Sequence, residues 1–165
     1  METKNKVIVG PISTDTTLTE HLLQAFADEL RYLNGNTTVG NELLQEAFNF
    51  LDDSEKWEGD YIKDEYQGET DALVDDLAYT LDTYSPPFCY FGAHLGDGGP
   101  ELVEGFGFWF DAEQLQHALC NSDGNDDGYR YLPDYNVWVD VNDHGNVTLF
   151  EDNNGQPGKE IIGVV

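Results

Sequence analysis

Asp71-Ala72-Leu73-Val74-Asp75-Asp76-Leu77-Ala78-Tyr79-Thr80-Leu81-Asp82-Thr83-Tyr84-Ser85-Pro86-Pro87-Phe88-Cys89-Tyr90-Phe91-Gly92-Ala93 is the stretch in which the chain changes its period. Leu73, Leu77 and Leu81 recur four residues apart, with Val74 and Ala78 beside them. That spacing lines one face of a helix over about 69–83. Ser85-Pro86-Pro87 ends it, because a residue before proline is pushed out of the helical region. Phe88 to Ala93 is then a short apolar run of strand character.

Toward the N-terminus the helical period persists. Leu43, Leu44, Ala47, Phe48 and Leu51 predict a helix over about 40–52, and Leu18, Leu22, Phe26, Leu30 and Leu33 one over about 18–33. Thr17-Leu18-Thr19-Glu20 has the form of a capping box at the start of that first helix. Lys6 to Pro11 reads as a short strand ended by Gly-Pro. Residues 53–68 are acidic and poorly periodic, with Trp57, Tyr61 and Tyr66 as anchors, and predict an irregular connection with at most a helical turn.

Toward the C-terminus strands take over. Leu102 to Phe110 and Tyr135 to Val141 are strand-like. Asp111 is placed to cap a short helix over about 112–120, and Asn142-Asp143-His144-Gly145 forms a tight hairpin turn. Asn146 to Glu151 and Lys159 to Val165 complete the set. The expected fold class is α+β: one domain over 1–165, with a helical N-terminal half (about 1–85) packed on an antiparallel sheet of four or five strands (about 86–165).

Charge is the outlying property. Thirty-three Asp and Glu face seven Lys and Arg, a formal net charge of −26 at pH 7. Solubility asks only for a magnitude of about 2–8 in a small domain, and like charge repels itself at a cost in stability. Hydrophobic residues at 39% and aromatic residues at 13% exceed what a disordered acidic tail carries, so the chain is expected to fold. The balance disfavours direct binding to nucleic acid or to an anionic membrane surface and favours a basic protein. Life in high salt and binding of metal cations are the other benefits that would offset the cost. No apolar run approaches the roughly 20 residues of a membrane span. Cys89 and Cys120 are too few for a disulfide framework and point to free thiols in a reducing cytoplasm. Met1 to Lys6 is followed by no signal-peptide core.

Three motifs stand in order in the C-terminal half: Pro86-Pro87-Phe88-Cys89-Tyr90-Phe91-Gly92-Ala93-His94, Gly105-Phe106-Gly107-Phe108-Trp109, and Val141-Asn142-Asp143-His144-Gly145-Asn146-Val147-Thr148-Leu149. Over about residues 69–165 the chain resembles a group of small acidic hypothetical proteins of bacteriophages and bacteria. The resemblance implies a phage-like origin and a role in interaction with a host. That group has no established activity, so no residue role is carried over from it.

The acids crowd between Asn41 and Asp82. Glu42, Glu46, Asp52, Asp53, Glu55, Glu58, Asp60, Asp64, Glu65, Glu69, Asp71, Asp75, Asp76 and Asp82 are opposed only by Lys56 and Lys63, a net of −12 over 42 residues. Glu42–Glu46 and Asp71–Asp75 are like-charge pairs one turn apart, each costing a few tenths of a kcal/mol that interspersed lysines would avoid. Carboxylates three and four residues apart on a helix lie about 5–6 Å apart, of the order of the phosphate spacing along one strand of a duplex carrying one charge per about 1.7 Å of axis. Thirteen of these residues, all but Glu69, form the expected contact surface. The expected function is that of an acidic DNA mimic. It would occupy the basic nucleic-acid groove of a host defence protein, a restriction enzyme or a CRISPR effector, without catalysing a reaction or holding a cofactor.

The alternative is a calcium-binding or simply acidic structural module. Asp123, Asn125, Asp127 and Asp134, with Gly128 at the sixth position, match the front of an EF-hand loop and its twelfth ligand. The exit does not match, because Pro133 and a strand follow and position 12 is Asp rather than Glu. A helix-to-strand loop accounts for the same residues. Cys89 inside an apolar strand reads as a small buried hydrophobe, His94 as the start of a loop, and His144 as part of a turn. With Cys120 these residues show neither zinc spacing nor a nucleophile–base arrangement. Phe106, Phe108, Trp109, Phe110 and Trp138 read as core packing, since stacking on single strands needs a positive groove.

Overall fold

The computed structural model describes residues 5–14, 16–95, 103–120 and 128–164. The fold class is α+β, as the change of period predicts. Strand β1 spans Gly10–Thr14 and helix α1 spans Thr19–Leu33. The strand begins later than the sequence suggests, and Val7 is buried ahead of it. The expected capping box at Thr17 is not formed. Leu18 holds the cap position without a side-chain bond, and its amide donates instead to Thr16 Oγ1 at 3.1 Å. Glu20, expected to reach back to the cap, is 7% exposed.

Helix α2 runs from Glu42 to Asp52 and is capped by Asn41, whose Oδ1 accepts from the Leu44 amide at 3.1 Å. The connection over 53–68 is more ordered than its poor periodicity implies. It holds a 3-10 turn at Ser54–Lys56, a two-residue ribbon of β2 (Trp57–Glu58) with β3 (Tyr61–Ile62), and a second 3-10 turn at Asp64–Tyr66. Gly59 makes the ribbon's turn with a φ of 65°, a value that glycine adopts without strain. Helix α3, Gln67–Asp82, buries Leu73, Leu77 and Leu81, as the leucine spacing requires.

The remaining elements are β4 (Cys89–Leu95), β5 (Val103–Phe110), α4 (Ala112–Cys120), β6 (Arg130–Leu132), β7 (Val137–Val141), β8 (Val147–Asp152) and β9 (Pro157–Val164). The expected single sheet of four or five strands is instead two sheets. One has the order β1-β5-β4 and the other is a meander, β6-β7-β8-β9. The difference lies in β5, where Gly105 and Gly107 admit β1 as a neighbour. A Cβ on Gly107 would stand 2.1 Å from Gly10 O, and one on Gly105 would stand 2.4 Å from Ser13 O. β1 and β5 pair antiparallel, with Gly10 opposite Phe108 and Thr14 opposite Gly105.

The chain divides into two compact units, Met1–Ser85 with Phe91–Trp109, and Pro86–Tyr90 with Phe110–Val165. In the first, the apolar faces of α1, α2 and α3 and residues of the three-stranded sheet share one hydrophobic core. Phe26 of α1 packs edge-on to Phe91 at 5.0 Å between centroids and to Phe106 at 5.7 Å. Phe91 in turn meets Phe108 at 4.9 Å. These contacts make Phe106 and Phe108 core residues, as their pattern predicts. In the second unit β7 buries three consecutive residues, Val137, Trp138 and Val139, so both of its faces are covered. Trp138 packs on Tyr131, and its indole donates to Asp152 Oδ1 at 2.8 Å. Asp111 caps α4 as its position predicts, accepting from the Gln114 amide at 2.8 Å.

Candidate functional site

The candidate surface belongs to the first unit and is built on α2, the connection and α3. Both helices turn their leucines inward, which fixes the remaining positions toward solvent. Of the thirteen expected contact residues, twelve are exposed: Glu42, Glu46, Asp52, Glu55, Glu58, Asp60, Asp64, Glu65, Asp71, Asp75, Asp76 and Asp82. Asp53 is half-buried and has a local role, accepting from the Glu55 amide at 3.0 Å to cap the first 3-10 turn.

Cations do little to neutralise this surface. Among the described residues there are two ion pairs, Arg31–Asp28 and Lys56–Glu69, and neither involves any of the thirteen. Lys56 also lies 4.1 Å from the centroid of the Phe50 ring. Lys63, the other lysine of the region, donates to the Glu55 main-chain carbonyl rather than to a carboxylate.

The thirteen do not form one continuous constellation. Glu42, Glu46 and Asp53 meet around a shallow depression of about 380 Å³ that Gln45, Asn49, Phe50, Lys56 and Glu69 complete. Asp71, Asp75 and Asp82 recur at intervals of four and seven on α3 and share a face. Asp71 also accepts from Thr19 Oγ1 at 3.2 Å. Asp82 has a structural engagement that the sequence does not reveal. Its Oδ1 accepts from the Phe91 amide at 2.7 Å and from Ser85 Oγ at 3.2 Å.

Asp52 and Asp60 border a different and larger cavity of about 650 Å³. It is lined from α1 by Glu20, His21, Gln24 and Ala25, and from the other side by Leu51, Ser54, Trp57 and Gly59. Neither Glu20 nor Trp57 is singled out as a site residue by sequence reading. A signal for Glu20 does exist. With Leu23, Ala27 and Leu30 it falls in phase on the buried face of α1, where a carboxylate is out of place.

The other candidates resolve as follows. Asp123, Asn125 and Asp127 lie outside the described residues. Asp134 is exposed between β6 and β7, and no group of three or more metal-ligating side chains exists among the described residues. His94 lies within β4, not at the start of a loop, and stacks on Trp109 at 4.5 Å between centroids. His144 is exposed in its turn, where its amide donates to Asn142 Oδ1 at 2.9 Å. Cys89 is half-buried, and burial pushes its thiol up to about 11, which keeps it protonated at neutral pH. Cys120 is exposed. Among the described residues no helix is long and apolar enough to cross a membrane. No protein-family model, curated protein or solved structure matches the chain.

Proposed function

We propose that this protein is an acidic mimic of nucleic acid. It would inhibit a host defence protein, a restriction enzyme or a CRISPR effector, by occupying its basic nucleic-acid groove. One observation carries the reading: twelve carboxylates project from folded elements, and no ion pair among the described residues neutralises them. A basic groove gains most from such a surface, because the negative charge is already fixed in place and contact releases the ions that screen both surfaces. Binding of this kind is steered from a distance and weakens as salt rises. Each exposed acid contributes about 1 kcal/mol or less, so single substitutions have small effects and the face acts collectively.

The test is inhibition of DNA cleavage by a panel of restriction enzymes and CRISPR effectors. A variant carrying Glu46→Lys, Asp71→Lys, Asp75→Lys and Asp76→Lys reverses the surface on both helices. It leaves Asp82 in place, so that loss of the bond to β4 does not confuse the result. Inhibition by the parent and none by the variant is the expected outcome. Equal inhibition by both proteins would remove this surface from the interface.

A further inference from the structure

We propose that Tyr79, on the solvent face of α3, anchors an arginine side chain of the partner's basic surface. The guanidinium lies on the ring and turns its edge to the carboxylates of Asp75 and Asp76. The inference rests on the reading of the partner as a basic protein and names the residue type it presents to α3.

Tyr79 is placed unlike most of the other tyrosines. Tyr129, Tyr131 and Tyr135 each pack on another ring, and Tyr32, Tyr66 and Tyr84 pack against the hydrophobic core. Tyr79 is 77% exposed, the highest value among the large hydrophobic side chains described. It stands two residues from buried Leu77 and two from buried Leu81, about half a turn from both and so opposite the core. Among the described residues its ring meets no other ring or cation, and its hydroxyl has no hydrogen-bond partner. A position that only faced water would be better served by Lys or Glu, which favour the helix more than an aromatic ring does.

The surroundings select the ligand. Asp75 and Asp76 precede Tyr79 by four and three residues, the spacing at which helix side chains are neighbours. Helical side chains lean toward the N-terminus, which carries the ring toward the turn that holds both acids. Both acids are exposed, and neither joins an ion pair among the described residues. They repel a phosphate, and they repel a second copy of this chain, whose net charge is −26. A purely apolar partner would strip water from both carboxylates and return nothing. A cation satisfies ring and carboxylates together.

The same combination recurs within the fold, with the cation supplied by the chain itself. Arg31 lies 4.9 Å from the Phe48 ring centroid and pairs with Asp28 at 2.7 Å. Lys56 lies 4.1 Å from the Phe50 ring centroid and pairs with Glu69. The lysine side chain is 16% exposed and the arginine side chain 44%, so the pairing that faces solvent is the arginine's. Hydration explains the difference. An ammonium in open water keeps its tightly held shell, whereas the weakly hydrated guanidinium lies flat on a ring and leaves its N–H edge for carboxylates. Tyr79 faces solvent, and its ligand is therefore arginine rather than lysine.

The experiment uses the full-length protein with carbon-13 in its tyrosine rings. The Tyr79 signal is assigned by its loss in Tyr79→Leu, and blocked tri-arginine and tri-lysine peptides are titrated at low salt. The expected result is a saturable shift of that signal by tri-arginine, with tri-lysine, of equal charge, binding about two- to fivefold more weakly. Asp75→Asn with Asp76→Asn should weaken tri-arginine binding by about threefold or more. Asp64→Asn with Glu65→Gln removes the same charge elsewhere and should weaken it less. An unmoved Tyr79 signal, equal binding of the two peptides, or equal losses in the two double variants overturns the proposal. Tyr79→Leu changes no charge, so in the DNA-cleavage assay it separates the anchor from the mimic reading. A raised half-inhibitory concentration supports the anchor. An unchanged one, in a protein that loses inhibition on charge reversal, overturns the anchor and leaves mimicry standing. Arginine-selective binding at Tyr79 in a parent that inhibits no enzyme supports the anchor and removes the mimic reading.

Discussion

Asp82 separates acids that hold the fold from acids that only decorate it. It is the last residue of α3, and its Oδ1 receives the Phe91 amide at 2.7 Å. Phe91 is 8% exposed and its ring sits against Phe26 and Phe108, so the bond ties the end of α3 to a strand already in the core. Asp82→Ala leaves that amide without its acceptor, at a cost of about 1–3 kcal/mol. The same substitution removes a negative charge from the negative end of a helix, a gain of about 0.3–1 kcal/mol. The net expectation is a loss of about 1–2 kcal/mol, read as a lower urea midpoint at constant slope. Asp82→Asn keeps a carbonyl oxygen for Phe91 and relieves the helix end, so it should remain close to the parent. Asp75→Ala, on the same face, removes only like-charge repulsion and should be neutral or stabilising by a few tenths of a kcal/mol. Tryptophan fluorescence in urea measures all three. An Asp82→Ala midpoint at or above the parent's, or an Asp75→Ala midpoint equally lowered, would refute the division.

Gly107→Ala should destabilise the protein by about 2 kcal/mol or more, because its Cβ meets Gly10 O at 2.1 Å and β1 must move; hydrogen exchange should show β1 deprotected first. Glu29 is half-buried, and burial raises its carboxyl above the ordinary 4.5. The folded state then holds this proton more tightly than the unfolded one, so its contribution to stability falls as pH rises between 4.5 and the raised folded value. Glu29→Gln should flatten the decline across that window, and an unchanged slope in pH-dependent urea titrations would count against it. Millimolar calcium should raise the melting temperature no more than magnesium does. A calcium-specific rise of several degrees that disappears in Asp123→Ala would instead establish the loop as a metal site.

The elements that were legible from sequence are those whose signal is local. Leucines at helical spacing set α1, α2 and α3, Pro86-Pro87 marks the change of period, and Asn142 to Gly145 marks the hairpin between β7 and β8. What escaped depends on partners distant in sequence. The pairing of β1 with β5 joins Gly10–Thr14 to residues more than ninety positions away, and only the Gly105–Gly107 alternation hints at it. β6 is three residues long, too short to show a period. For the site, the exposure of the acids followed from the phase of the leucines. The engagement of Asp82 with Phe91 and the enclosure of Glu20 did not, because both require two segments to be placed against each other first.

Four of the seven Lys and Arg argue that the excess of negative charge is a property of the surface itself. Arg31 lies 4.9 Å from the Phe48 ring centroid and pairs with its own helix neighbour Asp28. Lys56 has a side chain only 16% exposed, set over Phe50 and against Glu69. Arg130 donates to the Leu119 carbonyl and Lys63 to that of Glu55. Each therefore holds pieces of the fold together, through ring faces, carbonyls or a single neighbouring acid. A surface that needed only solubility would distribute such cations among the exposed acids and gain from each pairing. Here the acids of α2, the connection and α3 are left to repel one another, and the apolar core beneath them absorbs the cost. That repulsion would be relieved by a dense positive surface, so under the proposed mimicry raising the salt should stabilise the free protein while it weakens the proposed complex. Opposite salt dependences of stability and binding are the expected outcome of that proposal, and parallel ones would contradict it.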